Sequence, residues 1–182
     1  MATSKAISLQ SASVLDANRH DVLGMVLSGA LPLSVFVIAH GMAQLAGVSP
    51  LFFAPFGLPG WLGAVLHIGS LPLFGVARWM VAQRSDEGRR AGWWLVGLMT
   101  GMIGLPFIVG PLDSLMLCLA TVTLLLLALA TSMRVAQVSP RAALVMLPGV
   151  AWMGLSACVG LSLVAGWSPP FSLTNAQGQS AQ

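Results

Sequence analysis

Few residues in this chain are equipped for chemistry, and they lie far apart. His67 is the sharpest of them. It stands about one and a half turns into an apolar run, and an ionisable side chain in such a run usually faces the interior of a helix bundle and marks a site. Its neutral imidazole could ligate a haem iron or hydrogen-bond a propionate or a hydroxyl. The plainer alternative is a histidine bonded to a neighbouring carbonyl or to interfacial water. His40 sits in His40-Gly41-Met42-Ala43-Gln44, with Gln44 on the same helical face four residues on. If His40 approaches His67, the two bracket a ligand; otherwise it is an interfacial polar residue. Asp113 has no histidine near it in sequence. Cys118 and Cys158 lie inside apolar runs and read as inert thiols rather than a disulfide framework. Metal-ligand spacings, a Gly-rich phosphate loop and a nucleophile elbow do not occur in the sequence. No catalytic or metal-ligating set is therefore expected.

The elements that must hold these residues follow from composition. Of the 182 residues, 57% are hydrophobic and 7% charged, against about 25% charged in a soluble domain. So few charges cannot coat a globule of this size, so most of the surface is expected to meet lipid. Stretches of about 20 apolar residues, enough to span a bilayer as helix, run over 22–45, 61–81, 92–109, 112–133 and 142–166. None alternates with the period of a barrel strand. The expectation is an all-α membrane protein with five spans over 22–166, a polar N-terminal segment at 1–21 without a removable signal peptide, and a flexible polar tail at 167–182. Gly110-Pro111 marks a tight turn between the third and fourth spans.

Lys5, Arg19, Arg78, Arg84, Arg89, Arg90, Arg134 and Arg141 all fall on one side of such a bundle, and Asp113 on the other. The positive-inside rule then puts the N-terminus in the cytoplasm and the C-terminus outside, in the periplasm if the membrane is a bacterial inner membrane. The net charge of +3 is carried by isolated basic residues without a patch, so nucleic acid is not an expected partner. Trp79, Trp93 and Trp94 flank the basic loop as an aromatic belt, with Trp167 opposite. The first loop, 48–60, reads VSPLFFAPFGLPG and carries no charge. It is expected to fold over the helix ends as an apolar lid through Phe52, Phe53 and Phe56, or to lie in the interface. Gly97 and Gly101 form a Gly-x-x-x-Gly that suits close helix packing, either between two copies of the chain or within the bundle; Ser156 and Gly160 repeat the pattern on the fifth span.

Several of these anchors share a register. Pro59-Gly60-Trp61 opens the second span, Pro106 lies in the third, and Pro148 is followed four residues later by Trp152. In this register the chain resembles the TspO/MBR family of translocator and tryptophan-rich sensory proteins over about residues 22–166. The resemblance implies a five-helix bundle with a lid-like first loop, dimerisation through the third helix, and a pocket associated with tetrapyrroles and sterols. Carried onto this sequence, the pocket comprises Trp61, His67, Leu71, Gly101, Gly104, Pro106 and Trp152, with His40 nearby and Phe52, Phe53 and Phe56 as lid. The departures are pronounced. The chain has no Tyr; Leu71 stands where the family has a pocket Tyr, and Gly101 and Gly104 stand where it has Asn and Trp. The implied function is binding, sensing or transport of a hydrophobic ligand such as haem, a porphyrin or a sterol-like lipid, with no cofactor certain. The alternative is a non-catalytic structural or assembly subunit of a larger membrane complex.

Overall fold

The computed structural model describes residues 2–55 and 59–167. Within them the protein is all helical: α1 Ala2–Leu45, α2 Gly60–Ala82, α3 Asp86–Ile108, α4 Ser114–Val138 and α5 Pro140–Trp167. All five are long and apolar enough to cross a membrane. Their outer faces fit a hydrocarbon surround, with Leu31, Val37, Leu126 and Met133 each more than half exposed.

The helix ends have local causes. In α1 the apolar stretch starts at Asp21, but the helix reaches back to Ala2, because residues 2–21 hold neither Gly nor Pro to stop it. It ends at Gly47, whose φ of 72° suits a residue without Cβ. There Val48 N–H donates to Ala43 C=O at 2.8 Å and Gly47 N–H to Gln44 C=O at 3.0 Å. α3 starts earlier than hydropathy alone suggests. Ser85 caps it by accepting from Gly88 N–H, and Asp86 and Glu87 occupy its positive first turn. Asp113 caps α4, accepting from Met116 N–H at 2.7 Å, which accounts for a lone acid there. Leu112 N–H bonds Val109 C=O at 3.1 Å and closes the Gly110-Pro111 turn. Ser139 alone separates α4 from α5, and Pro140 opens α5 at the position where a missing N–H costs nothing.

The bundle is solid at one end and hollow at the other. Leu71, Phe74, Leu95, Leu98, Met102, Val135 and Met146 are sealed from solvent; Leu71, Leu95 and Leu98 lie near the middle of their helices, and Phe74, Val135 and Met146 in the half nearer the α2–α3 and α4–α5 connections. Backbones approach closely on that side. The Val81 carbonyl packs on the Cα of Gly88, where a Cβ would collide with it. The Ser28 carbonyl packs likewise on Gly75. Pro32 lies four residues after Ser28 and supplies no N–H to it, so α1 presents a free carbonyl to a glycine of α2. The opposite half contains the first loop and a cavity.

Candidate functional site: a cavity under the first loop

α2 buries the face formed by Gly63, His67, Ser70, Leu71 and Phe74, the i, i+4, i+7 spacing of one helical stripe. His67 is the topmost polar side chain on it. α3 faces it with Pro106. A proline has no N–H for the carbonyl four residues earlier, so Met102 C=O loses its helical partner. His67 Nε2–H supplies the replacement, donating to that carbonyl at 2.8 Å. The bond fixes the neutral tautomer: Nε2 carries the proton and Nδ1 keeps a lone pair.

The first loop is held down at several points. Leu51 N–H donates to Pro106 C=O at 2.9 Å. The Phe53 carbonyl rests on Gly63, where any Cβ would strike it. The Phe53 ring meets Trp152 of α5 edge-on at 5.7 Å between centroids, and the Phe52 ring meets His67 at 5.8 Å. Such aromatic contacts add directional attraction to buried area. Residues 51–55 therefore lie against the helices with Phe52 and Phe53 turned toward His67 and Trp152, while Phe56 lies outside the described residues.

Beneath this loop is a cavity of about 480 Å3, within the range of small-molecule sites. His67 of α2, Leu105, Pro106 and Val109 of α3, Leu117, Thr121 and Leu124 of α4, and Trp152, Met153, Ser156, Val159 and Gly160 of α5 form its wall with residues 51–55. Of the residues predicted from sequence, His67, Pro106, Trp152, Phe52 and Phe53 come together here.

The others do not. Trp61 is 66% exposed, because it lies two residues, about 200° of helical rotation, from the inward Gly63. Leu71 is fully buried one turn below His67 and packs in the core. Leu124 Cδ1 comes within 2.8 Å of where a Gly101 Cβ would stand. The room expected at Gly101 is therefore filled by a leucine from α4. Gly97 and Gly104 have no neighbour within 4 Å of an added Cβ and do not line the cavity. The Gly97/Gly101 pair is therefore split, with Gly101 covered inside the chain and Gly97 open.

His40 is separate as well. It stacks on Phe36 at 6.3 Å, and Phe36 in turn contacts Phe52 at 6.2 Å and Phe107 at 5.8 Å. Phe36 and Phe52 therefore stand between His40 and His67, and the two histidines do not bracket a ligand. The Gln44 amide donates to His40 Nε2 at 3.0 Å.

The pocket residues expected from sequence lie on the first, second, third and fifth helices, and none on the fourth. In the structure α4 supplies a wall and α1 none. The missed residues do carry a signal, since Leu117, Thr121 and Leu124 follow helical spacing, as do Trp152, Ser156 and Val159. Among the described residues no cluster of three potential metal ligands occurs, and Cys118 and Cys158 are free thiols.

These features define a class: an all-helical protein with five potential membrane spans and an apolar cavity capped by an inter-helix loop. No protein-family model, curated protein or solved structure matches the chain.

Proposed function

We propose that this chain is a TspO-like integral membrane protein that binds a hydrophobic small molecule in the cavity under its first loop, for sensing or transport. The cavity itself carries the reading. A space of about 480 Å3 walled by Trp152, Phe52, Phe53 and aliphatic side chains is large for a packing defect, since native interiors hold few voids larger than a water molecule. The register of Pro59-Gly60-Trp61, Pro106 and Pro148/Trp152 supports the family resemblance, and with it a tetrapyrrole or a sterol-like lipid as ligand. His67 Nε2 is already bonded to Met102 C=O, so a tetrapyrrole iron could meet only its Nδ1, and aromatic contact would supply the rest of the hold. The basic residues at one end of the bundle support a cytoplasmic N-terminus in a bacterial inner membrane.

The test is purification in mild detergent, an absorption spectrum and solvent extraction, followed by haem, porphyrin and sterol titrations. A molecule recovered near one per chain, or a saturable titration lost in Ser156→Phe, is expected. Absence of both would remove the reading.

A second reading has its own observation. Gly97 and Gly104 leave an open strip on the outer side of α3, which suits a close helix partner. A homodimer through α3, or an assembly role in a larger complex, follows from it. Disulfide trapping of Gly97→Cys in a background without Cys118 and Cys158 distinguishes a second copy from a different protein.

A further inference from the structure

The polar side-chain atoms on the cavity wall are nearly all acceptors. His67 has committed its only N–H to Met102 C=O. The Thr121 hydroxyl donates to the carbonyls of Leu117 and Cys118, each at 3.0 Å. The Ser156 hydroxyl donates to Trp152 C=O at 3.0 Å. What these three groups still offer a ligand is lone pairs. The polar atoms sealed without a partner among the described residues are His40 Nδ1, Arg78 Nε and Ser132 Oγ. His67 Nδ1 is not among them and has no partner there, so it keeps an accessible lone pair on a cavity-lining residue. The remaining side-chain donor on the wall is the Trp152 indole N–H, which has no acceptor among the described residues. No Lys, Arg, Asp or Glu lines the cavity.

From this we infer that the ligand is an uncharged apolar molecule carrying a hydroxyl, an alcohol rather than an acid. The inference rests on the binding function proposed above and narrows its ligand. A carboxylate would enter a cavity with no cation on its wall to pair it, and a buried unpaired charge is strongly disfavoured. A pure hydrocarbon would cover the His67 Nδ1 lone pair and leave it dry and unbonded. A hydroxyl carries no charge and can donate to Nδ1. The proline in α3 thus sets the ligand's polarity at one remove, since Pro106 frees the carbonyl that fixes the imidazole tautomer.

Retinol, retinyl methyl ether and retinoic acid test this, because they share one skeleton and differ at the terminal group. Each is titrated into the full chain in lipid nanodiscs, with quenching of tryptophan fluorescence as the readout. Ser156→Phe, which fills the cavity, reports partition into lipid alone. The expected result is saturable retinol binding, at least about tenfold tighter than the ether and the acid, the weight of one lost hydrogen bond or more. In His67→Phe the preference of alcohol over ether is expected to vanish. Acid binding as tight as alcohol, or ether equal to alcohol, would overturn the inference while leaving a ligand-binding protein. Quenching by all three no greater than in Ser156→Phe would overturn the binding function and this inference together.

Discussion

The link between Pro106 and His67 can be weighed by a double-mutant cycle. His67→Phe keeps a flat ring against Phe52 but removes the N–H that satisfies Met102 C=O at 2.8 Å. Hydrogen bonds between membrane helices average about 0.6 kcal/mol and reach about 1.7, because the usual partner finds a substitute when one is lost. Here the carbonyl has none, since the residue that would normally donate is a proline. The cost should therefore approach that of a buried orphan acceptor, about 1–2 kcal/mol. At roughly 2–4 °C per kcal/mol for a chain of this size, Tm should fall by about 2–8 °C. Pro106→Ala restores the helical N–H, so in that background His67→Phe should cost about 0.5 kcal/mol or less. The coupling, about 1 kcal/mol, is the signature. Reversible unfolding in mixed detergent micelles, followed by circular dichroism, measures all four corners of the cycle. Additive effects within error would refute the claim that His67 stands in for the amide that Pro106 lacks.

Further outcomes follow from the same geometry. Gly63→Val should displace the Phe53 carbonyl and loosen the loop, raising the labelling rate of a cysteine placed at Ser156 several-fold; Gly69→Val, with open space at its Cβ, should leave it unchanged. Leu124→Ala should enlarge the cavity, since Leu124 lines it and covers Gly101. The expected loss is about 2–3 kcal/mol, offset by a bulkier ligand, and thermal unfolding with and without that ligand reads both. Five spans place Arg84–Arg90 and residues 168–182 on opposite sides, so single cysteines introduced in each should react with an impermeant thiol reagent from opposite compartments, and labelling from the same side would mean a different number of spans.

The five helices were legible because a run long and apolar enough to cross a bilayer leaves a coarse mark in length and composition. The apolar character of the first loop was legible too, and Phe52 and Phe53 pack against His67 and Trp152. Facing was harder to read. In a soluble helix polarity separates inside from outside, but here both surroundings are apolar, and Leu117 or Leu124 on the cavity wall looks no different from Leu119 or Leu126 on the exterior. That is why α4 was missed as a wall. It is also why Trp61, chosen for its type, turned out to point outward, while Ser156 and Gly160, read as close packing, border the cavity. Gly101 misled for a related reason: a glycine signals room, but only the partner helix decides whether Leu124 takes it.

The two halves of the bundle differ through how each uses its irregular residues. In the packed half, the free carbonyl above Pro32 and the glycines at 75 and 88 let helix backbones come into contact, and carbonyls meet Cα atoms directly. In the hollow half, two carbonyls of α3, one freed by Pro106 and one by the end of the helix, are not closed by a neighbouring helix backbone. Met102 C=O is taken by a side chain, His67, and Pro106 C=O by the loop through Leu51. A side chain and a loop can move where a packed backbone cannot, so the elements able to yield are the ones bordering the cavity. Access for a ligand should therefore come by displacement of residues 51–55, with the α2–α3 core below acting as a fixed floor. Locking the loop to α3 by a disulfide between Leu51→Cys and Val109→Cys, in a background without Cys118 and Cys158, should slow ligand exchange far more than it lowers affinity. An unchanged exchange rate in the locked protein would instead assign entry to a gap between helices.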